Sequence, residues 1–216
     1  MVAVIPLGDA TRRPVRFPAA TACIIVANVV AFVLELQGGD AFVTHWSVVP
    51  AQLLAGHRLV TVVTGMFMHA GWLHLIGNMV FLWAFGPEIE GAMGAPRYLL
   101  FYVVGGIVAM LAQALAAPHS TVPCLGASGA IAAVMGAFLV TFPTDRIKSL
   151  LLIFVFVKIT FIPAAILIGI WFLIQLFNVG SVADANTGGV AYLAHVAGLL
   201  FGVLTGRLFE IGAKED

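Results

Sequence analysis

Apolar positions in this chain fall into long runs separated by short polar breaks, not into the strict alternation of a half-buried strand. The first run, Ala19 to Leu36, has about the length that a hydrocarbon core of roughly 30 Å requires, and Gln37-Gly38-Gly39-Asp40 ends it. Later runs place further spans at about 71–86, 98–117, 127–142, 163–178 and 190–208, with Gly86-Pro87-Glu88, Pro118 and Pro143 as stops. Between the first two spans, Ala41 to Met68 carries Trp46, Pro50, His57 and Arg58. It is too polar to span and too apolar to float free, so it is expected in the membrane interface. Leu150 to Phe177 is too long for one helix and would hold Lys158 near its middle, where a cation is costly. Pro163 offers a start for the fifth span, which leaves the β-branched and aromatic run Leu150–Phe161 as an interfacial hairpin or re-entrant piece. Gly180 to Gly189 reads as a loop, and no internal repeat stands out.

The pattern divides the chain into a short basic tail (1–17), a membrane domain (18–209) and a C-terminal tail (210–216). Composition agrees: the 216 residues are 62% hydrophobic and 9% charged, against about 25% charged in soluble domains, and mean hydropathy is +1.09. The expected fold class is therefore an all-α polytopic membrane protein, a compact bundle of six transmembrane helices. Zero net charge gives no reason to expect a nucleic acid partner. With both termini inside, the inner segments hold Arg12, Arg13, Arg16, Arg97, Arg146, Lys148, Lys158, Arg207 and Lys214, leaving only Arg58 outside. That asymmetry orients the chain with cytoplasmic termini. The run after Arg16 leads into further spans without a convincing cleavage site, so it reads as a first helix and not a signal peptide. Cys23 and Cys124 then fall on opposite sides of the membrane and should not pair, and no Cys/His cluster resembles a zinc site.

In this orientation Ser128, His195, His74 and Asn78 all enter from the outer side, within roughly 10 Å of a common level by helix rise. Polar groups in lipid are expensive and tend to face one another or a water cavity. Ser128 sits in Gly126-Ala127-Ser128-Gly129-Ala130 at a helix start, beside N–H groups that lack helical partners and favour negative charge. His74 and Asn78, four apart, share a face. The glycine stripe Gly198, Gly202 and Gly206 beside His195 can pack against Gly129 and Gly136, bringing an imidazole base to a serine hydroxyl that needs one.

Each residue also has a plainer reading. Ser128 can be a packing serine in a small-residue seam, His195 a satisfied core histidine, and His74 and Asn78 helix cross-links. His69 reads as an interface residue, and His119 as a solvated loop histidine that rivals His195 as base. Arg58 reads as a headgroup or loop anchor, Glu88 and Glu90 as a structural or charge anchor, and Trp72 and Trp83 as interface aromatics. Four polar residues at one depth weigh against coincidence.

Three stretches in this order carry a family resemblance: Gly126-Ala-Ser-Gly129, Ala194-His-Val-Ala-Gly198 followed by Gly202, and His69-Ala-Gly-Trp-Leu-His74-Leu-Ile-Gly-Asn78. With them the chain resembles the rhomboid intramembrane serine proteases of the bacterial type, from span one to Leu208. The resemblance implies a Ser–His dyad, with Ser128 as nucleophile and His195 as general base and then acid. It implies an oxyanion hole from the Ser128 N–H and the His74 and Asn78 side chains, with Gly126 shaping the loop that leads in. It also makes 41–68 the family's first loop, places span five beside lateral substrate entry, and implies no metal or cofactor. Two positions depart from the family pattern. Ala132 stands where an aromatic residue usually packs on the histidine ring, so Phe138, Tyr192 or an aromatic of span two has to substitute. His57-Arg58 replaces the usual Trp-Arg.

The expected function is intramembrane serine endopeptidase activity on single-span membrane proteins, in or next to their transmembrane segments. The setting is a bacterial inner membrane, with the active site opening to the extracytoplasmic side. Its rivals are a catalytically silent rhomboid-like protein that binds membrane clients, and a small transporter lined by His74, Asn78 and His195. No His-Glu-x-x-His and no pair of membrane aspartates suggests another intramembrane protease class.

Overall fold

A computed structural model of the chain describes residues 2–12, 16–154, 156–182 and 192–210. These form eight helices, two of them short, and one three-stranded sheet; the sheet corrects the all-α expectation, and the fold is otherwise mostly helical. The helices are α1 (Ala19–Trp46), α2 (Pro50–Leu54), α3 (Thr61–Thr64), α4 (Trp72–Met93), α5 (Ala95–Ala116), α6 (Ser128–Thr141), α7 (Ala164–Val182) and α8 (Tyr192–Glu210). The two extra helices, α2 and α3, are short pieces within 41–68, followed by a single 3-10 turn at Gly65–Phe67. Among the described residues α1, α5 and α8 are long and apolar enough to cross a membrane, and α6 and 164–179 of α7 are shorter apolar helices. α4 carries His74, Asn78, Glu88 and Glu90 and falls outside both sets. Arg13, residues 183–191 (most of the expected 180–189 loop and the first residues of the sixth span) and the C-terminal residues 211–216 with Lys214 lie outside the described residues.

Two helices run past the stops read from sequence. α1 continues to Trp46 by bending at Gly39, whose φ of 61° and ψ of −158° leave the helical region; glycine takes this conformation without a Cβ clash. α4 runs through Pro87 to Met93, and its inner end has a partner to hold. The Glu90 carboxylate accepts from Ala20 N–H (2.9 Å), Thr21 N–H (2.7 Å) and Thr21 Oγ1 (2.8 Å). Those N–H groups open α1 and have no acceptor within it, and a negative charge there suits the helix dipole. The charge anchor expected at Glu90 is thus a cap that α4 supplies to α1.

The sheet joins β1 (Val2–Asp9), β2 (Arg146–Ile153) and β3 (Phe156–Pro163) in that order, antiparallel throughout. The β2–β3 hairpin pairs Ile153 with Phe156 at its turn and Arg146 with Pro163 at its base, covering Leu150–Phe161, where a hairpin or re-entrant piece was expected, and extending past it at both ends. β1 replaces the expected N-terminal tail: it pairs with β2 from Val2↔Ile153 to Asp9↔Ile147, with an irregularity between Pro6 and Gly8. An edge strand tolerates Pro6, which has no N–H to give. Arg12 fastens the end of this segment, with Nε 2.7 Å from Asp145 Oδ2 and its guanidinium 4.6 Å from the Phe142 ring centroid.

α6 is the centre of the bundle, with Ala130 to Phe138 buried, and α8 lies directly on it. A Cβ on Gly198 would stand 2.2 Å from Gly129 O, on Gly202 2.0 Å from Ala133 O, and on Gly136 2.2 Å from Leu199 O. At these glycines the two backbones touch. Overpacking ordinarily costs about 1–3 kcal/mol, and here the obstacle is backbone. Gly202→Ala should therefore lower unfolding stability in bicelles by at least that amount. Gly91→Ala, where nothing lies within 4 Å of the added Cβ, should leave it unchanged or raise it slightly.

Candidate active site

Ser128 opens α6, and the first bond of that helix runs from Ile131 N–H to Ala127 O (3.0 Å). The N–H groups of Ser128, Gly129 and Ala130 consequently have no helical acceptor. The strand-like stretch ahead of Ser128 is tied down by Cys124 N–H to Val48 O (2.7 Å) and Gly126 N–H to Gly65 O (2.9 Å). Gly126 has φ +129°, and a Cβ there would stand 3.0 Å from His74 Nε2 and 3.6 Å from Ser128 Oγ. Only glycine satisfies both the backbone angle and the space.

The glycine seam brings α8 to the serine. His195, 6% exposed, has Nε2 2.7 Å from Ser128 Oγ, inside ordinary hydrogen-bond range. Its Nδ1 lies 2.8 Å from Gln175 Oε1 on α7. The ring is flanked by Trp171 of α7 (centroids 5.4 Å apart, planes at 40°) and by Tyr192 of its own helix (6.4 Å, 90°). Of the substitutes expected for the missing aromatic, Tyr192 is in contact. Phe138 packs instead on Phe85 and Phe142. Trp171 and Gln175 were missed in the sequence reading, although Gln175 carries a signal: it is the single amide or ionisable side chain between Pro163 and Phe177. Ala132 is fully buried, and its Cβ would lie 3.3 Å from a Cβ on Gly198. In this chain the ring support comes from α7 and α8.

His74 and Asn78 line the neighbouring wall. His74 Nδ1 accepts the Ala70 N–H (3.3 Å), so the hydrogen of the neutral ring sits on Nε2, the nitrogen nearest Gly126. Asn78 Nδ2 is 2.9 Å from His69 Nε2 and retains a second N–H. His69 is 2% exposed and anchors this wall. Its N–H donates to both Glu35 oxygens (3.0 Å each), and its Nδ1 is 3.2 Å from Phe67 O. A carbonyl only accepts, so Nδ1 carries the hydrogen and Nε2 accepts from Asn78. His119 is exposed in its loop, with no bond to the site. Arg58, also exposed, donates to Thr44 O (3.1 Å). Both cysteines are free. Among the described residues no His, Cys, Asp and Glu group is placed to hold a metal ion.

The Rhomboid domain family model matches residues 56–210, and the chain belongs to the rhomboid family, as an integral membrane protein. It is similar to Rhomboid protease GluP of Bacillus subtilis (strain 168), 31% identical over 118 residues, 53% of this chain and 23% of that protein. It is also similar to Rhomboid protein 1, mitochondrial, of Saccharomyces cerevisiae, 31% identical over 153 residues, 68% of this chain and 41% of that protein. With Rhomboid protease GlpG of Yersinia pestis (strain Pestoides F) it shares 24% identity over 186 residues, 85% of this chain and 60% of that protein. The chain thus spans less than two thirds of the length of each of these relatives.

Burial pushes the His69 imidazole down to about 4, with nearby His74 adding a smaller part. An unfolded chain takes up that proton near 6.5, whereas the folded chain resists it until about 4. Between those values the unfolded state binds more protons, so stability falls as pH is lowered through this window, by about 3 kcal/mol in total. Unfolding midpoints measured from pH 7 to 4 should show this decline. His69→Gln, which keeps an acceptor for Asn78 and removes this titration, should make the decline shallower by about that amount.

Proposed function

We propose that the chain is an intramembrane serine endopeptidase that cuts single-span membrane proteins in or next to their transmembrane segments. The observation that carries this reading is the 2.7 Å contact between His195 Nε2 and Ser128 Oγ at the N-terminus of a buried helix. Protease names among the similar proteins support it.

In the proposed reaction His195 Nε2 takes the Ser128 hydroxyl proton as Oγ attacks the scissile carbonyl carbon. The carbonyl oxygen becomes an oxyanion facing the Ser128 N–H, His74 Nε2–H and an Asn78 amide N–H. Fixed donors aimed at developing charge are the usual large term in acyl transfer. Collapse breaks the C–N bond, and the proton on His195 Nε2 goes to the leaving amine. Water then enters, gives a proton to His195 and attacks the Ser128 ester, and the returning proton restores the serine. Gly126 keeps the approach clear. No metal or cofactor enters any step.

In this reading α1 and α4 to α8 are the six spans of a bundle at 18–209, with the β1–β2–β3 sheet and the C-terminal tail at 210–216 on the cytoplasmic side. The basic inner segments set that orientation, so the site opens to the extracytoplasmic side, as in a bacterial inner membrane. A helical substrate hides its scissile carbonyl in hydrogen bonds, so small or helix-breaking residues near the cut should speed turnover. The test is cleavage of a single-span substrate in proteoliposomes. Ser128→Ala and His195→Ala should each lower kcat by about 10⁴-fold or more while folding normally. Cleavage that survives Ser128→Ala would remove the serine mechanism. A folded wild type that binds such substrates without cutting them would favour the client-binding reading.

A further inference from the structure

α7 turns one narrow stripe toward the bundle. Ala164, Ile168, Trp171 and Gln175 follow the spacing of a single helix face. Ala164, Ile168 and Gln175 are buried, while Ile166, Ile170, Leu173, Ile174 and Phe177 are exposed. An amide on a lipid-embedded helix is tolerated when its groups find partners, and both ends of Gln175 have one. Its Nε2 amide donates to the Trp171 carbonyl one turn back (3.3 Å), which leaves Oε1 as the end 2.8 Å from His195 Nδ1.

That orientation decides the state of the histidine. An amide oxygen only accepts, so His195 Nδ1 must carry the ring hydrogen. Nε2, 2.7 Å from Ser128 Oγ, is then left as the acceptor of the serine proton. With the hydrogen on the other nitrogen the ring would have no lone pair to offer Ser128, the fault that disables a Ser–His pair whose orienting partner is changed. Trp171, from the same helix, packs against the ring at a tilt of 40° and limits its rotation.

We propose that Gln175 is a positioning residue for His195, making the site a Ser128–His195–Gln175 relay in which a neutral amide fixes tautomer and ring angle. This rests on the protease reading above. The proton taken from Ser128 stays on Nε2 until it goes to the leaving amine. The Nδ1 hydrogen donates to Gln175 Oε1 throughout, so no proton reaches the amide. The plainer account, that Gln175 only links α7 to α8, is separable because a link made by packing survives an apolar side chain of similar size.

The experiment compares wild type, Gln175→Leu, Gln175→Met and Gln175→Glu in proteoliposomes, reading kcat and KM for a single-span substrate and the rate of fluorophosphonate labelling. Unfolding midpoints identify the variants that keep the fold. The folded Leu or Met variant should lose about 10- to 100-fold in kcat and in labelling rate with KM unchanged, part of the about 10²–10⁴ that general acid–base transfer supplies. Gln175→Glu, which puts an acceptor oxygen at the same reach, should recover much of that loss. A folded Leu or Met variant with wild-type kcat, or a Glu variant as impaired as Leu, would overturn the proposal and leave the protease reading standing. A wild type that neither cleaves nor labels would fail the protease reading itself, a result the variants cannot mimic.

Discussion

Ser128 meets His195 because α6 and α8 approach until backbone touches backbone. In lipid, apolar side chains gain little by leaving hydrocarbon for a helix interface, so close van der Waals packing through small residues has to hold helices together. Here Gly198, Gly202 and Gly136 each lie where a methyl group would collide with a main-chain oxygen of the facing helix. Ala132 sits on this seam, fully buried, 3.3 Å from where a Cβ on Gly198 would stand, and brings no ring to His195. The histidine is braced from the far side instead, by Trp171 and Gln175 of α7.

The opposite wall depends on a chain of satisfied polar groups. Glu35 on α1 holds the His69 N–H, the His69 ring holds the Asn78 amide, and the Ala70 N–H sets the tautomer of His74. In a low-dielectric site each link is stronger than in water, and each missing link costs more. The order of donors runs one way: Phe67 O fixes the hydrogen on His69 Nδ1, which makes Nε2 an acceptor and turns an Asn78 N–H toward it. Two histidines five residues apart therefore have different tasks. His69 builds the wall, and His74 presents an N–H beside Gly126.

Legibility in the sequence followed the range of the physics involved. Hydrophobic runs are local, so the six longer helices were readable, and the glycine stripe at 198, 202 and 206 pointed to its partner because small residues on two helices leave few other uses. Ser128, His195, His74 and Asn78 were singled out by depth, a property that run lengths and charge asymmetry convey. The strand β1 was not found. Its β-branched residues Val4 and Ile5 pair with Leu151 and Leu150 far along the chain, and nothing near the N-terminus announces a partner. The three arginines nearby suggested a solvated tail instead. Gln175 was visible as a lone amide in an apolar helix, but its partner depends on how α7 rotates against α8, which the pattern alone leaves open. The surroundings of His69 were not visible for a related reason: it lies two residues beyond the turn at Gly65–Phe67, and its partners Glu35 and Asn78 come from α1 and α4.

The proposed chemistry stands or falls on whether Ser128 is an activated nucleophile. The most direct measurement is fluorophosphonate labelling of the wild type in lipid, with the adduct mapped by mass spectrometry and His195→Ala run beside it. A single adduct on the peptide containing Gly126–Gly129, lost in a folded His195→Ala variant, is the expected result. A folded wild type that takes no label, an adduct on another serine, or labelling undiminished without His195 would contradict it.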